Sequence, residues 1–146
     1  MIVYLDTSVA VALLVPEAKT ASVQAWFATC SDLIVSADWM VPEFASALSI
    51  KERRKDITAQ DARAVWSEFE AFRDAGARLV PVSRKAFEEA ARMTRDLASG
   101  LRAGDSLHLA VAIEVGASHL ATMDRVLDDN ARKHGLTTIS FSDPTC

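Results

Sequence analysis

The sequence predicts an α/β fold, a three-layer α/β/α sandwich with a central, mainly parallel sheet of about five strands. Short apolar, partly β-branched runs alternate with helical patterns along the chain, as is typical of a parallel sheet covered on both faces. The 146 residues fit a single domain, 1–146, and 50% hydrophobic with 25% charged residues is ordinary for a soluble globular protein. No repeat, linker or low-complexity tract interrupts the alternation.

The first strand and the first helix meet at an aspartate. Ile2–Leu5 is an apolar, partly β-branched run that predicts a strand. Asp6 follows directly, and its side chain is suited to cap the helix predicted from Ser8 onward. A second helix is predicted at about 19–29, because its apolar residues recur at helical spacing, and a second strand is predicted at 33–35.

The next two helices form a predicted hairpin. Residues 41–54 carry apolar side chains three and four apart, which indicates a helix with one buried face. Thr58 is the predicted N-cap of the following helix, three residues before Asp61, and Gly76 is its predicted stop. The two helices are joined near Asp56.

The third strand and fifth helix follow that hairpin. A strand is predicted at 79–82, and Pro81 confines it to an edge of the sheet or to a strand end. Ser83 is the predicted cap of the next helix. That helix is expected to run through Phe87, Ala91, Thr94 and Leu97.

The chain closes with two helices and two strands. Asp105 opens a predicted helix that ends at Gly116, and a strand follows at 119–122. Asp124 precedes the last predicted helix, and Thr137–Ile139 is the last predicted strand.

Charge, apolar runs and cysteines exclude several classes of protein. The net charge of −4 has the wrong sign for binding nucleic acid through a broad basic face, unless cations neutralise acids gathered in one site. The apolar run 9–15 is too short to span a membrane, so we expect a cytoplasmic protein without a targeting segment. Cys30 and Cys146 lie far apart without metal-ligand spacing, which predicts free thiols.

Four acids are expected to meet at one edge of the predicted sheet. Asp6 and Asp124 follow strands, and functional groups of open α/β sheets collect beyond the carboxyl ends of the strands. Glu43 and Asp105 lie in first turns of helices that can start at the same edge. Taken singly, Asp6 is explained as well by a helix cap as by a functional role, and Asp124 can be the cap of the last helix. Glu43 and Asp105, taken singly, are better explained as first-turn charges favoured by the helix dipole.

Gathered together, the four carboxylates would require a compensating positive charge. Oxygen ligands without cysteine or a histidine pair select hard cations such as Mg²⁺ or Mn²⁺. Mg²⁺ usually completes its shell with water and substrate phosphate, so this donor set indicates phosphate chemistry.

Four segments together resemble, in order and spacing, the successive motifs of PIN-domain proteins, and most closely those of the VapC toxins of toxin-antitoxin pairs. The segments are Tyr4-Leu5-Asp6-Thr7-Ser8, Pro42-Glu43, Leu101-Arg102-Ala103-Gly104-Asp105-Ser106-Leu107-His108-Leu109-Ala110 and Ala121-Thr122-Met123-Asp124. The resemblance covers essentially the whole chain. It implies a PIN-like fold and an Mg²⁺- or Mn²⁺-dependent endoribonuclease, the toxin of a VapBC-type pair.

The resemblance also assigns roles to residues. The residues implied to be both catalytic and metal-ligating are Asp6, Glu43, Asp105 and Asp124. Ser8 and Thr122 match small hydroxyl residues that support the first and last aspartates. The implied partners are an RNA substrate, a VapB-like antitoxin that enters the active-site groove, and a second copy of the chain in a homodimer.

Three further residues are assigned from their positions. Asp128 lies four residues after Asp124, hence on the same helix face, and is a candidate supporting acid. Arg102, three residues before Asp105, is the candidate for contact with an RNA phosphate. His108 lies on an otherwise apolar helix, so we expect a packed or hydrogen-bonded residue and not a catalyst.

The expected reaction is attack by a metal-activated water on the scissile phosphorus, which requires no histidine base. Three alternatives remain at this stage. A haloacid-dehalogenase-like phosphatase would carry a second Asp where Ser8 stands, and a receiver-like phosphoacceptor domain would carry an acid where Ser36 stands. The third is a PIN fold that only binds RNA or protein, which the four intact acids disfavour.

Overall fold

The protein was analysed as a computed structural model that describes residues 1–139 and 141. Its centre is a five-stranded sheet in which every pairing is parallel, in the order β3-β2-β1-β4-β5. The strands are β1 (Ile2–Leu5), β2 (Leu33–Ala37), β3 (Arg78–Val80), β4 (His119–Ala121) and β5 (Thr137–Ile139). The predicted sheet and strand number are confirmed, whereas the prediction for Cys146 lies outside the described residues.

Seven helices connect and cover the strands in the described part of the chain. They are α1 (Thr7–Leu14), α2 (Thr20–Thr29), α3 (Met40–Arg53), α4 (Ala59–Ala75), α5 (Arg84–Arg95), α6 (Ala103–Glu114) and α7 (Arg125–Lys133). None of them is long and apolar enough to cross a membrane.

The sheet separates two apolar cores because successive side chains of a strand point to opposite faces. Val3 and Leu5 belong to the core formed with α1, α2, α3 and α4, whereas Tyr4 belongs to the core formed with α5, α6 and α7. The predicted three-layer α/β/α sandwich is therefore confirmed.

β1 is the central strand, and this position determines where the site forms. Tyr4 pairs with Val35 of β2 on one side, and Leu5 pairs with Ala121 of β4 on the other. The order of the strands reverses here, since β2 and β3 extend the sheet in one direction and β4 and β5 in the other. Open α/β sheets bind ligands beyond the carboxyl ends of the strands at such a reversal.

Local sequence explains most element boundaries. Thr58 and Asp61 exchange side-chain to backbone hydrogen bonds of 3.0 Å in a capping box that starts α4, as predicted. β3 is an edge strand, as predicted, but it ends at Val80 and not at Val82, because Pro81 has no amide hydrogen to extend the pairing. Ser83 accepts a hydrogen bond of 3.0 Å from the Ala86 amide and caps α5.

The expected course of α5 needs a correction. The helix ends at Arg95 and not at Leu97, and its buried residues are Ala86, Ala90 and Met93. Phe87 is 50% exposed and Leu97 is 91% exposed, so these two apolar residues do not lie on the packed face. Met93 and the small residues Ala86 and Ala90 form that face, and the alanines let α5 approach α6 closely.

Candidate active site

The four predicted acids line one cavity of about 390 Å³ beyond the carboxyl ends of β1 and β4. The lining consists of Asp6, Thr7, Ser8, Val11, Glu17, Glu43, Ala47, Asp105, His108, Met123 and Asp124. Each acid comes from a different connection or helix start, and the parallel sheet brings these segments together.

Asp6 is buried and held by hydroxyl groups. It caps α1, and its Oδ1 accepts hydrogen bonds from the Ser8 amide at 2.8 Å and the Ser8 hydroxyl at 2.5 Å. Oδ2 accepts a hydrogen bond of 2.6 Å from the Thr122 hydroxyl. Burial raises the pKa of Asp6, and His108, Ser8 and Thr122 partly oppose that shift.

The same two hydroxyls join the loop after β1 to the loop after β4. Ser8 Oγ also accepts from the Met123 amide at 2.9 Å, and Thr122 Oγ1 also accepts from the Asp124 amide at 2.9 Å. Thr122 therefore contacts both the first and the last predicted acid. Ser8 and Thr122 therefore both contact the Asp6 carboxylate directly.

Glu43 lies in the first turn of α3, and its carboxylate is held from the far side of the cavity. Its Oε1 accepts a hydrogen bond of 2.7 Å from the Thr7 hydroxyl and lies 2.5 Å from His108 Nε2. Burial on its own raises the pKa of Glu43. The hydrogen bonds and charge of His108, followed by Thr7, outweigh burial and lower that pKa below its usual value.

Asp105 and Asp124 complete the acidic wall. Asp105 lies in the first turn of α6. Asp124 caps α7 through a hydrogen bond of 2.8 Å from the Leu127 amide. Burial, then the charges of Asp124 and Asp6, raise the pKa of Asp105 to about 6. The negative charges of Asp124 and Asp6 therefore act on Asp105 across the cavity.

The donor set suits a hard divalent cation. After burial, the negative charges of Asp124 and Asp6 are the main causes of the raised pKa of Asp105, and a bound cation would offset those charges. Within residues 1–139 and 141, no three His, Cys, Asp or Glu side chains lie close enough to enclose a cation by themselves. Mg²⁺ does not need such a cage, since it binds one or two carboxylates and keeps several waters.

Three predicted residues do not line the cavity: Thr122, which contacts Asp6 directly, and Arg102 and Asp128. Arg102 stands at the N-cap position of α6 and is exposed. Asp128 forms an ion pair of 2.9 Å with Arg132 and faces a neighbouring pocket that Phe141 also lines. Asp128 lies one helical turn after Asp124, and the two share that pocket, but no side-chain hydrogen bond or ion pair joins Arg102 or Asp128 to the four acids in the described part of the chain.

Sequence reasoning missed Thr7 as a site residue, and it predicted a packed or hydrogen-bonded His108 without linking it to Glu43. Both contact Glu43, and His108 is only 1% exposed, in agreement with the expected packed and hydrogen-bonded state. The spacing of three between Asp105 and His108 was the available signal, because it places both on one face of α6.

A family model described as PIN domain matches residues 3–133. The chain belongs to the PIN-domain family. This PIN domain is 32% identical over 139 residues to Ribonuclease VapC45 of Mycobacterium tuberculosis (strain CDC 1551 / Oshkosh), and the comparison covers 92% of each chain. The predicted membership is thereby confirmed, and the phosphatase and receiver alternatives are excluded.

Solved structures share the fold of this PIN domain. Mycobacterium tuberculosis VapC20, described as a sarcin-ricin loop cleaving toxin, has a TM-score of 0.69 and 17% identity over 88% of this chain and 94% of that one. VapBC2 from Rickettsia felis, bound to a DNA fragment from its promoter, has a TM-score of 0.67 and 16% identity over 97% and 100%. The identity to VapC45 places this PIN domain among the VapC-type ribonucleases.

Proposed function

We propose that the chain is an Mg²⁺- or Mn²⁺-dependent endoribonuclease, the toxin of a VapBC-type toxin-antitoxin pair. The observation that carries the proposal is the meeting of Asp6, Glu43, Asp105 and Asp124 around one cavity at the strand-order reversal. These four acids are the proposed cation ligands. Membership of the VapC group supports RNA as the substrate.

A bound divalent cation would supply an activated water and charge stabilisation for the leaving oxygen of the phosphodiester. The chain's own residues provide the frame for that chemistry. The hydroxyls of Ser8 and Thr122 hold the Asp6 carboxylate in one orientation, and Thr7 and His108 do the same for Glu43. Such preorganisation is expected to place the attacking water without rearrangement of the ligands.

The finer assignments are parts of the same proposal. Arg102 is exposed at the start of α6, the helix that carries Asp105, and is proposed to contact an RNA phosphate next to the cavity. A VapB-like antitoxin is the proposed protein partner, and the VapBC2 complex supports it. We also propose that the protein is a homodimer in the cytoplasm. A measurement of its molar mass in solution would test the dimer.

The decisive experiment incubates purified protein with RNA and Mg²⁺ or Mn²⁺. Asp6→Asn and Asp105→Asn each remove one charged ligand while preserving side-chain size. We expect cleavage to fall at least about 100-fold in each variant, since loss of even a residue that supports a metal ligand costs about 10–100-fold. EDTA is expected to abolish cleavage by the wild-type protein.

The matched control is Asp129→Asn, the same chemical change at an exposed position of α7 outside the cavity. It is expected to cleave RNA like the wild-type protein. Cleavage that persists in EDTA, or that is equal in all three variants, would contradict the proposed function. RNA binding without cleavage would favour a binding module.

A further inference from the structure

The two carboxylate oxygens of Glu43 have different surroundings. Oε1 accepts from Thr7 Oγ1 at 2.7 Å and lies 2.5 Å from His108 Nε2. A carboxylate only accepts hydrogen bonds, so His108 Nε2 must carry the hydrogen in this contact. Two donors therefore converge on Oε1 and fix its position.

His108 is itself fixed from behind. Its Nδ1 lies 2.8 Å from the Tyr4 hydroxyl, and the two rings meet edge to face with centroids 5.7 Å apart. Tyr4 and His108 are 0% and 1% exposed. The imidazole has no room to rotate in this packing, so the direction of its hydrogen bond to Glu43 is determined by the core.

Oε2 lies against the one residue of the α6 first turn that has no side chain. An ideal Cβ on Gly104 would stand 2.7 Å from Glu43 Oε2 and 3.4 Å from Trp39 Nε1. Gly104 does not have a positive φ, so alanine would suit its backbone. The glycine is therefore needed for the space that it leaves to the carboxylate. Its backbone conformation does not require a glycine.

The Trp39 indole is a second, independent feature of the space between Gly104 and Glu43 Oε2. In the described part of the chain, Trp39 Nε1 is a buried nitrogen without a hydrogen-bond partner. A buried donor without a partner is costly, and here it borders the position of Oε2.

We propose that Thr7, His108 and Gly104 are positioning residues that fix the orientation of the Glu43 carboxylate at the cavity. Thr7 and His108 hold Oε1, and Gly104 leaves the space that Oε2 occupies. This inference rests on the proposed metal site. It adds how the Glu43 carboxylate is held and why a glycine stands beside Asp105. Outer-shell donors of this kind commonly govern metal affinity.

The test compares a glycine-to-alanine substitution at the start of α6 with the same substitution just beyond its end. Isothermal titration calorimetry with Mn²⁺ alone measures the affinity of each variant. Gly104→Ala is expected to weaken Mn²⁺ binding by about 10- to 100-fold, because the added methyl displaces Oε2. Its thermal unfolding temperature is expected to be no lower than that of the wild-type protein, since alanine favours a helix over glycine.

Gly116→Ala is the matched control just beyond the other end of the helix. Nothing lies within 4 Å of its added methyl, but its φ of +71° strains an alanine. We expect a lower unfolding temperature with unchanged Mn²⁺ affinity. The opposite outcome, lost affinity in Gly116→Ala or retained affinity in Gly104→Ala, would overturn the inference.

A second pair of variants tests the hydroxyl donor. Thr7→Val keeps the branched shape and removes the donor, whereas Thr7→Ser keeps the donor. We expect Thr7→Val to weaken Mn²⁺ binding about tenfold and Thr7→Ser to restore it. Equal affinities in both variants would overturn the role of Thr7.

The outcomes separate this inference from the proposed function. If the wild-type protein binds no Mn²⁺, the metal site and this inference both fail. If it binds Mn²⁺ and Gly104→Ala binds equally well, only the positioning role fails. If Mn²⁺ binds as expected but RNA is not cleaved, the proposed nuclease function fails and the positioning role stands.

Discussion

At Asp105, the surroundings that suit a cation disfavour a bare carboxylate. Burial and the charges of Asp124 and Asp6 raise the pKa of Asp105 to about 6. In the absence of metal, the folded protein therefore holds a proton that the unfolded chain has already released between about pH 4 and pH 6. The stability contribution of Asp105 falls as pH rises through that window.

Removal of this charge should stabilise the metal-free protein above pH 6. In EDTA we expect Asp105→Asn to unfold at most about 2–4 °C above the wild-type protein at pH 7.5, since solvent screens a partly exposed group. The gain should vanish near pH 4, where the wild-type carboxyl is protonated. Thermal unfolding followed from pH 4 to pH 8 would measure this difference in unfolding temperature. A difference that does not change with pH would contradict the raised pKa of Asp105.

The sequence allowed the four acids to be named but not the network behind Glu43. Asp6 and Asp124 were predictable because each follows a strand, and strand ends are readable from local patterns. The contact between Tyr4 and His108 joins residues 104 positions apart. Tertiary packing decides which distant side chains come into contact. The spacing of residues along the chain does not predict those contacts.

At the scale of the elements, the capping box of α4 offers a clean measurement. Thr58 and Asp61 satisfy two helix-end amides, and α4 buries Phe69 and Phe72 in the core shared with α3. We expect Thr58→Ala to lower the free energy of unfolding by about 1 kcal/mol, because one amide loses its acceptor. Urea denaturation would measure the loss.

Thr58→Ser keeps the accepting hydroxyl and is the matched control. Its urea midpoint is expected to lie near that of the wild-type protein, and RNA cleavage should be unchanged in both variants. A loss as large in Thr58→Ser as in Thr58→Ala would show that the methyl group, and not the cap, stabilises α4.

Element types were predictable, whereas the packed face of α5 was not. Caps such as Ser83 and Thr58 and stops such as Gly76 act locally, so they mark helix ends in the sequence itself. Phe87 is the largest apolar residue of α5, yet it is half exposed while Ala86 and Ala90 are buried. Close approach to α6 requires small residues, and a hydrophobic pattern does not distinguish small from large.

At the scale of the whole molecule, a cation that binds only the folded chain should stabilise all of it. With Mn²⁺ at about 100 times its dissociation constant, linkage adds about 2.7 kcal/mol. We expect a rise in unfolding temperature of about 5–10 °C for the wild-type protein. Asp6→Asn should show a much smaller rise, and equal rises in calorimetric scans would place the bound ion outside the cavity.

The central place of β1 also bears on how the protein is made. Asp6 is synthesised early, yet its carboxylate is held by Thr122, and β1 gains its second neighbour only when β4 has been added. A nascent chain that stops short of Asp124 lacks one of the proposed cation ligands and one wall of the cavity. We therefore expect the growing polypeptide to be harmless to nearby RNA until almost all of the domain has been translated.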